Sequence, residues 1–235
     1  MKSNYYLATF IGAAAVVSVA QSSVTQVSNL QQIRQSLVLI QNPRGENRGT
    51  GFIVAKDGNT YYALTAEHVV REGQFQVRTD AAGEVLPIEL VLPLPSVNLA
   101  LVQFTSTREY PLTRLARDAI RVTNITQIFI LGYPTRIFTN PQILTGNVTS
   151  RQPLTTGSGN AIFHDVDTLP GMSGSPVFTT NGEVIGIHLG INSLGNFREA
   201  IPIEKYWELV PQIFIRAGRD NLAVGNFPKL LTVWN

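Results

Sequence analysis

Short apolar segments separated by turn residues recur along most of the chain, and such a pattern predicts β-strands rather than helices. A first group of segments covers residues 37–40, 51–55, 61–65, 75–79, 85–92 and 99–104, and a second covers 128–132, 143–149, 161–165, 175–179, 184–189 and 200–203. Asp57-Gly58 and Asn181-Gly182 lie between paired segments and are strong hairpin signals. We therefore predict an all-β fold of two antiparallel six-stranded β-barrels.

The two ends of the chain carry different patterns. Lys2 precedes an apolar run over residues 6–20 that ends in Ser18-Val19-Ala20, which is typical of a secretory signal peptide. The run is shorter than the roughly 20 residues of a membrane-spanning helix, although an uncleaved anchor or a buried helix would show the same composition. We expect a secreted or periplasmic protein with no integral membrane span after signal removal. Residues 203–215 predict a C-terminal helix that Pro211 kinks or splits.

Together these elements predict how the chain is divided. The predicted segments are a signal peptide (1–20), an N-terminal extension with a short helix that Ser28 caps (21–36), an N-terminal barrel (37–115), a C-terminal barrel (116–203), and a helix with a tail (204–235).

Composition narrows the possible functions. Of the 235 residues, 44% are hydrophobic and 14% charged, which favours a folded core over disorder. The net charge is +2 and the basic residues are scattered, so we expect no nucleic-acid partner. The chain has no cysteine, and its three histidines have no HExxH-type spacing, so neither a metal site nor an organic cofactor is implied. The sequence does not indicate an oligomeric state.

The segment Gly171-Met172-Ser173-Gly174-Ser175-Pro176 is a candidate nucleophile turn. Glycines on both sides of a serine allow a backbone that exposes the hydroxyl and admits a substrate. The main-chain N–H groups of Gly171 and Ser173 are then candidates for an oxyanion hole in an acyl-transfer reaction. On this hexamer alone, a glycine-rich turn before a strand is an equally good interpretation.

His68 follows a predicted strand within Leu64-Thr65-Ala66-Glu67-His68. A histidine at the end of a strand can project into a cleft, where it takes the proton of a serine and returns it to a leaving amine. We expect the side chain of the neighbouring Glu67 to point away from that of His68.

Read together in order, these motifs resemble the landmarks of the trypsin/chymotrypsin peptidase family. The matching segments are residues 49–52, 65–68, 98–102, 171–176 and 184–190. The resemblance implies a chymotrypsin-like double barrel, a histidine–acid–serine relay split across both barrels, and hydrolysis of peptide bonds in a polypeptide substrate.

Two positions depart from that family. Asn98 stands where the family has the aspartate that orients the histidine and stabilises its charged form. The amide oxygen of Asn98 could still orient the ring, or its NH₂ group could donate to the ring and fix the wrong tautomer. Met172 stands where zymogens of the family carry an aspartate; it cannot form the ion pair with a new N-terminus, so we do not expect activation by that switch.

The segment around His188 resembles the glutamyl endopeptidase branch. That resemblance implies that Thr168, His188, Leu189 and Gly190 bind substrate, with Thr168 and His188 contacting a glutamate side chain at P1, the residue before the cleaved bond. A core histidine satisfied by backbone is the alternative for His188. We assign His164 to the surface or the rim of a barrel.

Three functions remain open. The first is a serine endopeptidase in which His68, Asn98 and Ser173 form the catalytic site, with activity reduced by Asn98. The second is a non-catalytic peptide-binding module, a pseudopeptidase, on the same fold. The third is a structural or surface protein.

Overall fold

A computed structural model of the protein describes residues 29–79, 83–117, 125–135, 140–153, 160–191 and 198–219. The predicted signal peptide (1–20) and the tail after residue 219 lie outside this range. The strands are β1 (Leu37–Gln41), β2 (Asn47–Asp57), β3 (Thr60–Thr65), β4 (Gln76–Thr79), β5 (Val85–Pro87), β6 (Leu90–Pro93), β7 (Ala100–Thr105), β8 (Gln127–Gly132), β9 (Gln142–Pro153), β10 (Asn160–His164), β11 (Pro176–Thr179), β12 (Val184–Ile191) and β13 (Arg198–Pro202).

The N-terminal half forms a curled, open sheet of seven strands in the order β5-β4-β1-β2-β3-β7-β6. The segment predicted as one strand, residues 85–92, is divided into β5 and β6, which accounts for the seventh strand. β5 pairs with β4, whereas β6 pairs with β7, so the chain changes partner between them. The change takes place between two successive residues: the Ile88 N–H donates to the Phe75 carbonyl, next to β4, at 3.0 Å, whereas the Glu89 N–H donates to the Gln103 carbonyl of β7 at 2.9 Å.

The C-terminal half forms a closed barrel of six strands in the order β10-β13-β12-β11-β8-β9. The predicted hairpin at Asn181-Gly182 joins β11 to β12, and Gly182 has a φ of +76°, which suits glycine. Both sheets enclose apolar side chains that are almost completely buried, among them Phe52, Tyr62 and Phe178. The predicted all-β, chymotrypsin-like class is confirmed by this pair of sheets.

Two α-helices flank the sheets. Residues 29–35 form α1, which packs on the β11–β12 hairpin: a Cβ at Gly182 would lie 3.3 Å from Ile33 Cδ1. Helix α2 (Glu204–Arg219) is continuous through Pro211 rather than split, and the Trp207 indole N–H donates to the Ala116 carbonyl at 2.9 Å. Within the described residues, no helix combines the length and apolar character that crossing a bilayer requires.

Candidate active site

His68 lies in a 3-10 turn, Glu67–Val69, immediately after β3 and Ala66. Val69 is buried beneath the turn, whereas His68 is exposed. The apolar anchor on one side and the exposed imidazole on the other direct the ring outward from the end of the strand. The Glu67 N–H donates to the Asn98 carbonyl at 3.2 Å, which ties this turn to the segment that carries Asn98.

The Asn98 side chain contacts His68 at two points. Its Oδ1 accepts the main-chain N–H of His68 at 3.0 Å, while its Nδ2 lies 3.0 Å and its Oδ1 3.2 Å from His68 Nδ1. Because a main-chain N–H can only donate, it orients the amide with Oδ1 toward the backbone and Nδ2 toward the ring. An N–H donated by Nδ2 to Nδ1 leaves the ring proton on Nε2, the nitrogen that a general base must keep free.

The protein around the exposed His68 still displaces part of the water near its ring, and this partial desolvation lowers the pKa of His68 from its usual 6.5; the positive charge of Arg71 lowers it further. The hydrogen bond with Asn98 and the charge of Glu67 act in the opposite direction. The imidazole is therefore neutral at pH 7, which is the protonation state of a base.

The Glu67 carboxylate accepts a hydrogen bond from Arg71 Nε at 3.3 Å. A cavity of about 530 Å³ opens beside Asn98, between Glu67 and Arg71 on one side and Pro93–Val97 on the other. Asn98 thus borders open space.

The Ser173 turn is held against the segment that carries His68. Gly174 has a φ of +85°, and a Cβ there would lie 2.1 Å from the Thr50 carbonyl and 2.3 Å from Thr65 Oγ1. Only glycine fits where the turn comes this close to β2, because the Cβ of any other residue would overlap the β2 backbone. The Thr50 N–H also donates to the Ser173 carbonyl at 2.8 Å. The structure therefore brings the predicted serine turn of the C-terminal half next to the end of β3.

Three consecutive carbonyl groups, those of Pro170, Gly171 and Met172, have donors. Thr135 donates both its N–H and its hydroxyl to the Pro170 carbonyl, at 2.7 and 2.8 Å, and Thr50 Oγ1 donates to the Gly171 carbonyl at 3.2 Å. The Ser175 N–H donates to the Met172 carbonyl at 3.0 Å.

These anchored carbonyls fix the direction of the amides that follow them. The C=O and N–H of a trans peptide point in opposite directions, so the Gly171 and Ser173 N–H groups face away from the protein groups that bind Pro170 and Met172. Within the described part of the chain, neither N–H has an acceptor. Two unpartnered amides flanking a serine are the donors that an oxyanion requires.

The Ser173 hydroxyl donates to the Leu189 carbonyl at 2.8 Å. A hydroxyl has a single proton, so in this arrangement Ser173 does not donate to His68. The O–H must turn away from this carbonyl, by rotation about the Cβ–Oγ or the Cα–Cβ bond, before His68 can take that proton.

Met172 is completely buried, at 0% exposure. An apolar side chain therefore occupies the position of the family's charged aspartate, and burial of the thioether stabilises the turn without an ion pair.

Among the predicted substrate-binding residues, Gly190 borders the serine: a Cβ on it would lie 3.9 Å from Ser173 Oγ. Leu189 supplies the carbonyl that binds the Ser173 hydroxyl, and Thr168 is half-buried in the segment before the nucleophile turn. His188 is buried at 1% exposure, with its main chain hydrogen-bonded to Gly174 and Ser175.

The assignment of His164 to the surface was wrong. His164 is 3% exposed, and its Nε2 lies 3.1 Å from His188 Nδ1. Burial lowers the pKa of His164 to about 4 and that of His188 well below 6.5, because a charged imidazole would lose its hydration. β10 and β12 both pair with β13, and this arrangement brings the two rings together.

Sequence reasoning missed an ion pair near these histidines. Arg198 Nη2 contacts Asp167 Oδ1, and the positive charge of Arg198 lowers the pKa values of both His164 and His188. Arg198 is the Cα partner of His164 across β10 and β13 and of Ile191 across β12 and β13. Arg198 lies 25 positions after Ser173 in the chain, outside the motif around the serine. Only the pairing register of the strands could have revealed this ion pair.

Comparison with known proteins shows the family of the chain. A family model described as "Trypsin-like peptidase domain" matches residues 49–187. A protein named "Probable periplasmic serine endoprotease DegP-like" from Rhizobium meliloti (strain 1021) is 30% identical over 161 residues, which is 64% of this chain and 30% of the relative. Its namesake from Pseudomonas putida (strain W619) is 31% identical over 177 residues, 69% of this chain and 35% of the relative. The chain thus spans about a third of the length of these relatives.

Two solved structures share the fold. The HtrA-type protease AlgW with a decapeptide superposes with a TM-score of 0.67 at 18% identity, covering 82% of this chain and 68% of that one. Deg5 superposes with a TM-score of 0.64 at 24% identity, covering 81% and 94%. At 18% and 24% identity the two solved structures establish only the fold, whereas the match to the family model establishes the family of the chain. The chain belongs to the trypsin-like peptidase domain family.

Proposed function

We propose that the protein is an exported serine endopeptidase that hydrolyses peptide bonds through an acyl-enzyme on Ser173. The observation that carries the proposal is the Ser173 turn, which has two unpartnered amides and packs against the end of β3, where His68 follows. A solvent-exposed imidazole, an activatable hydroxyl and two free N–H donors are the groups that acyl transfer needs.

In the proposed reaction the imidazole carries its proton on Nδ1, which donates to Asn98 Oδ1, 3.2 Å away, so that Nε2 is free. The Ser173 hydroxyl leaves the Leu189 carbonyl and gives its proton to His68 Nε2. Its Oγ attacks the substrate carbonyl, and the Gly171 and Ser173 N–H groups bind the oxyanion. The C–N bond then breaks as His68 returns the proton to the leaving amine. A water molecule, deprotonated by His68, hydrolyses the ester and regenerates the Ser173 hydroxyl.

The relatives named periplasmic serine endoproteases support a periplasmic or secreted location for this chain, together with the N-terminal apolar run. We propose polypeptides as its substrates. No metal or organic cofactor enters the proposed steps.

A fluorophosphonate probe tests the nucleophile directly. We expect covalent labelling of Ser173, detected by mass spectrometry of the processed protein, and no labelling of Ser173→Ala. The neighbouring Ser175 is an internal control because its side chain is completely buried. Labelling of neither serine in folded protein would contradict the proposal.

The orientation of the Asn98 amide favours a second candidate, a non-catalytic peptide-binding pseudopeptidase. If Nδ2 holds the ring in the tautomer that has its proton on Nε2, the base is blocked while the cleft remains. This candidate predicts peptide binding of equal affinity in the wild type and in Ser173→Ala, with no cleavage products from either protein.

We also propose that the enzyme prefers an acidic residue at P1. The resemblance of Thr168 and His188 to the substrate-binding residues of glutamyl endopeptidases supports this preference. The burial of His188 argues for a further group that meets the substrate charge.

A further inference from the structure

We propose that Arg198 is the residue that binds an acidic P1 side chain, and that Asp167 occupies it until substrate arrives. The inference rests on the proposed peptidase function, whose cleft it completes. It assigns the recognition of charge to a residue on β13 rather than to His188.

Strand register places Arg198 beside the candidate cleft. Its Cα pairs with Ile191, two residues after the Leu189 carbonyl that binds the Ser173 hydroxyl. Its guanidinium reaches Asp167, which lies in the segment leading to the nucleophile turn. Arg198 therefore links the segment before Ser173 to the strand after it, and we place the P1 side chain between these two segments.

Two buried polar atoms in this region have no partner within the described residues. They are Arg198 Nε, which is a donor, and His164 Nδ1. The two residues are directly paired across β10 and β13, so both atoms lie in one small region. An unpartnered buried guanidinium N–H is costly and is satisfied by a ligand oxygen.

The neighbouring histidines add no charge to that of Arg198. His164 and His188 are both neutral at pH 7, since burial lowers their pKa values. The guanidinium is always protonated and presents its N–H groups in a fork that matches a carboxylate. The chemistry of this cluster thus fits an anionic side chain.

The contact with Asp167 shows that Arg198 already binds a carboxylate. The Asp167 side chain is 91% exposed, whereas that of Arg198 is 27% exposed, so the aspartate approaches from the solvent side. An ion pair with an exposed carboxylate is weak, because water competes for the charged groups. A substrate carboxylate that reaches the buried Nε can therefore displace Asp167.

The opposite charge preference is the competing possibility, because Asp167 could itself bind a basic P1 side chain. The exposure of Asp167 and the presence of Arg198 against it argue for the acidic preference. Substrates of both charges distinguish the two.

The test uses N-acetyl tetrapeptide p-nitroanilides that differ only in a last residue of Glu, Gln or Lys. Binding to Ser173→Ala is measured by calorimetry at pH 7, and release of p-nitroaniline is measured with the intact enzyme. The Glu and Gln compounds are nearly isosteric, so the ratio of their affinities isolates the charge. We expect the Glu compound to bind about tenfold more tightly, as charge-assisted hydrogen bonds allow.

Arg198→Met, in the same background, should bring that ratio to about one, and Asp167→Asn should raise it. Arg114→Met is the matched control: Arg114 pairs with Glu183 with its side chain 73% exposed, and its loss should leave the ratio unchanged. If Arg198→Met does not fold, Asp167→Asn decides alone, since it keeps the arginine.

An unchanged ratio in a folded Arg198→Met variant overturns the inference. So does an unchanged ratio in Asp167→Asn, or tight binding of the Lys compound that Asp167→Asn abolishes. Absence of p-nitroaniline release, with the affinity ratio intact, would count against the peptidase function and not against the role of Arg198.

Discussion

Replacing Asn98 by aspartate exchanges the amide NH₂ group for a carboxylate oxygen next to His68 Nδ1, which lies 3.0 Å from Nδ2. One oxygen keeps the main-chain hydrogen bond of His68, as Oδ1 does at 3.0 Å. The other can accept the Nδ1 proton, so that Nε2 becomes free to take the proton of Ser173. The new charge is tolerated because the side chain borders a cavity of about 530 Å³ and is only half-buried.

The size of the gain in rate follows from the attraction between the new carboxylate at position 98 and the positive imidazolium that forms in the transition state. Two unit charges about 4 Å apart attract by about 4 kcal/mol at an effective dielectric of about 20. That corresponds to about a thousandfold in rate, at about 1.4 kcal/mol per decade. The opposite substitution in another serine peptidase lowers turnover by roughly 10⁴-fold, which includes the wrong tautomer as well as the lost charge. We therefore expect Asn98→Asp to raise kcat/KM by about 10³-fold or more.

Initial rates of cleavage of a fluorescent casein by the wild type and by Asn98→Asp measure this gain. The double variant Asn98→Asp with Ser173→Ala should have no activity, which excludes a contaminating peptidase. Asn98→Ala should gain far less than Asn98→Asp, because it removes the amide donor without adding charge. A change of less than about threefold in folded Asn98→Asp would refute the reasoning that residue 98 controls the base.

The remaining predictions concern stability. The pKa of His164 is about 4 in the folded protein and about 6.5 when unfolded, so the unfolded state binds more protons between these values and stability falls as the pH drops from 6.5 to 4. His164→Phe should reduce this loss of stability by about 3 kcal/mol, measured as the free energy of unfolding in urea at pH 7 and pH 4. An unchanged pH dependence would contradict a buried, neutral His164 ring. Gly174→Ala should cost at least about 3 kcal/mol because its Cβ would strike the Thr50 carbonyl. Gly58→Ala, also at positive φ (+57°) but with open space around it, should cost about 1 kcal/mol, and equal losses in the two variants would refute the steric argument.

Local sequence patterns predicted the strands well because alternation and turn residues act over a few positions. Asn181-Gly182 forms the predicted hairpin for the local reason that glycine adopts a positive φ there. The division of residues 85–92 into β5 and β6 depended on which neighbour each half pairs with. Pairing is a tertiary property, and the apolar pattern of that segment was compatible with a single strand.

At the candidate site, glycines and a strand end in short motifs singled out Ser173 and His68, and the resemblance to the peptidase family singled out Asn98. The contact between His68 and Asn98 agrees with that reading. The direction in which the Asn98 amide faces was decided by the backbone N–H of His68, which the sequence cannot orient.

The tertiary structure alone decided the surroundings of the cleft. His164 was assigned to the surface, yet closure of the barrel buries it against His188, and Arg198 had no recognisable motif. A side chain in a closed barrel takes its neighbours from strands that are distant in the chain, and the register between those strands sets which charges meet. Short motifs therefore identified the groups that could react, while the packing of β10, β12 and β13 determined the electrostatic environment beside them.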